Sequence, residues 1–391
     1  MKKINLDHIS SNHLLPEVQD AMINAIKHNY GNPSSQNDGG EQAANALENA
    51  RKHVAMLINA KKTKEIVFTS SGTESVNQAI KGVAFANSKK GKHIVTSNIE
   101  HSAVNRSLKR LHQMGYKVQS VSVDAKGFVN PDLIAKAITD ETILVSIMHS
   151  NNEIGTIQPL EEIAKITKQR KIILHSDAVD SVGVVPIDVQ TLGVDLLSFA
   201  SNPYYGPVGV GGLYIRQGTN IWPIIDGGVQ ERNKRAGTEN LIGIIGMGVA
   251  ADLAIKNMDK RLSHLQGLQK ILIDELPNYI DEYYINGDPE NGLPNLVSLA
   301  LRYIEGESIV LMLDEEGYTV STRSACATGS LRASHVLMSI GLEHADAQGT
   351  LVITPGIENT KKDITGFLKS LQKIVKTLRD ISPLYNRISK G

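Results

Sequence analysis

From about residue 64 onward, short runs of apolar and β-branched residues alternate with longer stretches whose apolar positions recur at helical spacing. The short runs occupy residues 65–69, 93–96, 117–123, 142–148, 171–174, 196–200 and 212–215. Such runs suit strands buried on both faces, and their alternation with amphipathic helices predicts a mostly parallel sheet covered by helices. Helical patterns over 241–257 and 259–276 are expected to close this unit. After Ile280 the spacing changes, with short strands expected at 296–301 and 319–322 and helices at 306–315, 335–340 and 362–379. The expectation is an α/β protein with a large domain over residues 15–260 and a smaller α/β domain built from 1–14 and 261–391.

Composition narrows the function without naming it. The 391 residues are 41% hydrophobic and 21% charged, as in ordinary globular chains. Lys plus Arg and Asp plus Glu both total 41, so no whole-molecule field draws the chain to nucleic acid or to an anionic membrane. The first residues lack the apolar core of a secretory signal, and no uninterrupted apolar stretch of about 18 residues is present, so a cytoplasmic protein is expected. Cys326 is the single cysteine, which excludes an internal disulfide and any all-thiolate metal site made by one chain. A metal held through sulfur would be shared with another chain.

Four expected strand ends carry polar clusters. Thr69-Ser-Ser-Gly-Thr-Glu-Ser follows a strand and opens a helix, which offers free amides and a hydroxyl to a phosphate; the same residues also serve as ordinary capping. Glu100-His-Ser-Ala-Val ends the next strand with a ring, and a lone histidine is often structural. Met148-His-Ser-Asn-Asn-Glu and His175-Ser-Asp-Ala-Val-Asp follow two further strands, where ligands bind in open α/β sheets. Asp177 is the residue type that keeps a pyridinium nitrogen protonated. Polar clusters at successive strand ends point to a small-molecule site rather than to core or caps.

These motifs, together with Tyr30-Gly-Asn-Pro-Ser-Ser, Arg235-Ala-Gly-Thr-Glu-Asn, Leu293-Pro-Asn, Ser324-Ala-Cys-Ala-Thr-Gly-Ser and Ser334-His-Val-Leu, resemble the group I cysteine desulfurases, in order and through nearly the whole chain. The resemblance implies the class V aminotransferase fold of pyridoxal phosphate (PLP)-dependent transferases, a homodimer, and PLP near the subunit interface. It implies that Gly72 and Thr73 hold the phosphate, His101 stacks on the ring, Asn152 faces the phenolic oxygen or the substrate, and Asp177 pairs with the ring nitrogen. Thr238 would reach the phosphate of the other subunit, and Cys326 would carry sulfur as a persulfide to a small iron–sulfur scaffold protein.

The chain departs from that pattern around the cofactor. Where the family has Ser-x-His-Lys, this sequence reads Ala200-Ser-Asn-Pro: Ser201 stands within the motif, Asn202 replaces the histidine and Pro203 the Schiff-base lysine. Proline has no amine to offer, and no lysine occurs between Lys171 and Lys234. Ala200 lacks a phosphate-binding hydroxyl, Asp180 replaces a glutamine at the phenolate, and Val352 replaces the arginine that clamps the substrate carboxylate. The segment around Cys326 keeps the family pattern and is small and polar, as expected of an exposed loop, with Arg323 and Arg332 favouring a thiolate. The expectation is a homologue without ordinary L-cysteine desulfurase activity that docks a scaffold and offers Cys326 as a ligand to a [2Fe-2S] cluster or as a sulfur carrier. The alternative is a desulfurase or lyase working through noncovalently bound PLP.

Overall fold

A computed structural model describes residues 3–322, 333–383 and 385. The described residues form twelve strands: β1 (Ile4–Asn5), β2 (Ile66–Thr69), β3 (His93–Ser97), β4 (Lys117–Val121), β5 (Thr142–Ser146), β6 (Ile173–Asp177), β7 (Leu196–Ala200), β8 (Gly211–Ile215), β9 (Tyr283–Asn286), β10 (Val297–Leu301), β11 (Tyr318–Thr319) and β12 (Thr350–Ile353). Seven of them make one sheet in the order β2-β8-β7-β6-β5-β3-β4. Pairing is parallel from β7 through β4, and β8 runs antiparallel to both β7 and β2. Strands β2, β3, β5, β7 and β8 are buried along their whole length, as continuous apolar runs with helices on both faces should be.

All seven expected strands of the large sheet form. One is displaced: the run expected at 171–174 begins at Ile173 and extends to Asp177. Lys171 lies at φ 54, a left-handed residue that ends the preceding Leu160–Gln169 helix, so the strand cannot begin there. The two helices expected over 241–257 and 259–276 are one, Leu241–Glu275, since neither glycine nor proline interrupts the chain between them.

That helix joins two hydrophobic clusters. Leu241, Ile244, Met247, Ala250, Ala251 and Ala254 pack into the cluster under the large sheet. Leu268 and Leu272 pack into a second cluster with Leu6, the antiparallel β12-β10-β9 sheet and Phe367, Leu368 and Leu371 of the C-terminal Lys361–Ile381 helix. Residue 260 therefore lies within a continuous helix. Over Leu241–Asn278 the segment is long and apolar enough to cross a membrane by composition, and half of the relevant window is buried inside the protein.

Candidate active site at the strand ends

Because β3, β5, β6 and β7 are parallel, their C-terminal ends share one edge, and the segments that follow them bring Glu100–His101, Met148–Asn152, Asp177–Asp180 and Ala200–Pro203 together. These segments are fastened to one another. Glu100 Oε1 accepts hydrogen bonds from Ser97 Oγ at 2.7 Å and from the Met148 amide at 3.0 Å. Asn151 Nδ2 donates to the Ile99 carbonyl at 2.9 Å, and the His149 amide donates to the Asp177 carbonyl at 2.8 Å. Beneath them His175 bridges Ser146 Oγ and Ser198 Oγ, both at 2.9 Å, linking β5, β6 and β7.

Burial sets the charge states. It pushes His175 down to about 3 and His149 down to about 4, so both rings are neutral. Burial pushes Asp177 up to about 6, opposed by His101 and by the Val179 amide and reinforced by Asp180. The Asp177 carboxylate accepts from Val179 N at 3.1 Å, and it is ionised near neutrality. Its position, charge and depth suit a cationic ring nitrogen.

His101 caps the Ser102–Gln113 helix, with Nδ1 accepting from the Ala103 amide at 3.2 Å. Asn152 and Asp180 are half-buried in the same cluster of segments. Gly72 opens the Gly72–Ala86 helix, and Ser71 caps it by accepting from the Glu74 amide at 3.1 Å. A Cβ at Gly72 would lie 2.4 Å from Val179 Cγ2, so glycine is what lets the helix start approach the Asp177 segment. Thr73 is exposed on that first turn. A helix start packed against the segment that carries a buried carboxylate fits a group with an anionic tail and a cationic ring.

The remaining candidates are placed differently. Ala200 ends β7, and Ser201 is buried with its Oγ against Gly206, where an added Cβ would approach within 2.0 Å. Asn202 and Pro203 begin a single 3₁₀ turn, with the Asn202 carbonyl accepting from Asn12 Nδ2 at 2.9 Å. Pro203 is buried and presents no amine. Val352 lies in β12, 1% exposed, opposite Ser298 and bridged to Ser321. Thr238 is exposed, in the segment before the Leu241–Glu275 helix.

Cys326, Arg323 and Arg332 lie outside the described residues, and with them the expected cluster-ligand role of Cys326. The residues on either side are described: Ser321 pairs with Val352, while Ser334 Oγ donates to the Glu153 carboxylate and His335 Nε2 bonds the Glu100 carbonyl at 3.0 Å. Val336, Leu337 and Ile340 pack on Ile99, Met148 and Ile154, so the chain leaving the cysteine segment is anchored on the strand ends themselves.

Sequence reasoning assigned no role to Glu100, His149 or the His175 ladder. Glu100 and His149 sit inside motifs already singled out by their strand-end position, and that position was the available signal. Arg51 and Glu231, a buried pair 180 positions apart, left none.

The aminotransferase class-V family model matches residues 4–367. Cysteine desulfurase IscS of Dictyoglomus turgidum is 50% identical over 382 residues, covering 98% of this chain and 97% of that protein. Cysteine desulfurase IscS of Methanosarcina thermophila is 45% identical over 383 residues, covering 98% and 94%. The solved structure of a NifS-like protein superposes with a TM-score of 0.90 at 35% identity, covering 96% of this chain and 100% of that one. With matches of this extent and a sheet whose strand ends converge on one polar site, the chain belongs to the class V aminotransferase family, with cysteine desulfurases as its homologues.

Proposed function

We propose that this protein acts in iron–sulfur cluster assembly as a desulfurase homologue that does not carry out ordinary PLP-dependent desulfuration of L-cysteine. In this reading it is a homodimeric pseudoenzyme that docks a U-type scaffold protein. Cys326 supplies a thiolate ligand to a [2Fe-2S] cluster being built there from iron and sulfide, or, as a carrier, takes a sulfane sulfur by exchange from the persulfide of a donor protein, which leaves as a thiol, and passes it to the scaffold.

The observation that carries this reading is Pro203, buried at the end of β7 at the position where the resemblance places the lysine, with no other lysine between residues 171 and 234. The site's residues fit two ends of PLP and not its anchor. Gly72 and the helix start suit the phosphate, and Asp177 suits the ring nitrogen, supported by the close Gly72–Val179 approach and the buried carboxylate. When bound, the cofactor would supply an electron sink. Neither a covalent anchor nor a lysine base is present at residue 203. Val352, apolar and buried, offers no charge-assisted contact to a substrate carboxylate, a loss of about 1.5–3 kcal/mol.

A second reading, an enzyme using noncovalently bound PLP, is favoured by Asp177 and His101 remaining at the strand ends. The visible spectrum of the purified protein tests the second reading: that reading requires the near-ultraviolet to blue band of bound PLP, while the pseudoenzyme reading holds with or without it.

The deciding experiment is anaerobic reconstitution of a cluster on the scaffold protein from the same organism with iron and sulfide, using wild type or Cys326→Ser. A stable mixed complex carrying the cluster is expected with wild type alone. Equal behaviour of the two proteins would remove the thiol from the mechanism.

A further inference from the structure

Three successive residues before Thr238 adopt left-handed backbone: Glu231, Arg232 and Asn233, at φ 45, 58 and 61, and none is glycine. The turn closes with Asn233 N on the Val229 carbonyl at 3.2 Å and Lys234 N on the Glu231 carbonyl at 3.0 Å. L-residues visit this region singly, so a run of three persists only where the surroundings over-determine it.

The enforcing contacts converge on Glu231. Arg51 grips its carboxylate with two parallel bonds, Nη1 to Oε2 at 2.7 Å and Nη2 to Oε1 at 2.8 Å, and both side chains are 2% exposed or less. Glu231 Oε2 also accepts from the Phe68 amide at 2.8 Å. Arg51 is fixed in turn by the Ile66 carbonyl at 2.9 Å, by Glu48 at 2.9 Å, and by the Phe68 ring 4.6 Å beneath its guanidinium. The strained turn is thus bolted to β2.

Beyond the turn, Arg235 Nε donates to Glu74 Oε1 at 2.9 Å, and Glu74 accepts from both the amide and the hydroxyl of Ser70. Gln78 Nε2 holds the Lys234 carbonyl at 2.6 Å, and Gly237 N returns to Gln230 Oε1 at 3.1 Å. The arch therefore stands on this subunit's own helix start, while Val229 and Thr238 remain exposed; Lys234 Nζ donates to the Ile221 carbonyl at 3.4 Å, next in sequence to the exposed Trp222.

We infer that Arg51 and Glu231 are a positioning pair that holds the 230–238 arch in its left-handed turn, so that Thr238 is presented to the phosphate-binding helix start of a second copy of this chain. The inference rests on the homodimer proposed above and on noncovalent PLP at the strand-end site, which the second reading requires and the first permits. Each arch is clamped on its own Gly72–Ala86 helix through Arg235 and Glu74 and offers Thr238 to the partner, so one strained segment joins the two anion sites. Neither member of the pair touches the ligand.

The test is a double-mutant cycle on the full chain, with PLP titrated by absorbance, mass read by sedimentation equilibrium and fold by far-UV circular dichroism. Arg51→Met/Glu231→Leu replaces the ion pair by apolar groups, which keeps the interior packed without leaving an unpaired charge. It is expected to fold and to dimerise while binding PLP about tenfold or more weakly. Trp222, the only tryptophan, is expected to change its emission as the arch relaxes. Thr238→Val alone should weaken PLP similarly, and combining all three substitutions should add little, because the pair acts through Thr238. A folded, dimeric pair variant with wild-type PLP affinity overturns the inference, and so do losses that simply add. A wild type that is monomeric, or that binds no PLP, overturns the underlying reading and the inference with it, and that result is read before any variant is made.

Discussion

Glu100 shows how burial rather than sequence sets the state of a residue. It is fully buried; one carboxylate oxygen takes the Ser97 and Met148 bonds and the other has no partner among the described residues. Burial pushes it up to about 8 from 4.5, with Ser97 and Met148 opposing and Asp177 reinforcing. Between those values the native state keeps a proton that the unfolded chain has released, so this group costs stability as pH rises through the window. Asp177 acts in the same sense up to about 6. His149 and His175, held down to about 4 and about 3, act oppositely, their contribution being lost as pH falls below 6.5. Glu100→Gln removes only the first effect. It is expected to match wild type near pH 4.5 and to gain on it by roughly 2–4 kcal/mol by pH 8.5. Calorimetric melting across that range checks this, and a difference independent of pH would show that Glu100 is not holding its proton.

At the scale of elements, the site depends on close approaches that two local structures permit. The start of the Gly72–Ala86 helix sits against Val179 because Gly72 has no Cβ. Gly72→Ala must displace Val179, at about 1–3 kcal/mol, and with it the segment that carries Asp177. Urea denaturation should show that loss, and PLP titration should show weaker binding beyond it. The left-handed turn at Glu231–Asn233 is the second such element, with a cost of about 1–2 kcal/mol per residue that the buried Arg51 pair and its hydrogen bonds offset. The seven strands of the large sheet were legible as runs, since buried strands need continuous apolar side chains wherever they lie; strands β1, β9 and β12 and the Pro16–His28 and Asp38–Leu57 helices were not read. The merged Leu241–Glu275 helix and the late start of β6 were not, because a helix end is set by single residues such as Lys171 whose backbone angle has no composition signal.

For the whole molecule, the Leu241–Glu275 helix is common to both hydrophobic clusters. Leu272→Ala, a truncation in the second cluster, is expected to cost about 2–5 kcal/mol. Because one rigid helix feeds both cores, near-UV and far-UV circular dichroism should report a single coincident transition at lower temperature. Two separated transitions would show that the clusters unfold independently. The cysteine-bearing stretch meets this body on two sides: Ser321 is paired with β12, and Ser334 and His335 are held on the strand ends that carry Glu153 and Glu100.

Sequence alone determined the α/β pattern, the polar strand ends at Gly72, His101, Asn152 and Asp177, the proline at 203 and the single thiol, because each is a property of residue type and local spacing. Only the tertiary structure decided that those ends are zipped through Glu100 and Met148, that Val352 lies buried in core, and that Arg51 reaches Glu231 across 180 positions to hold a strained turn. Burial and pairing between distant segments are properties of the folded whole, and they set charge state and backbone conformation that no local stretch encodes.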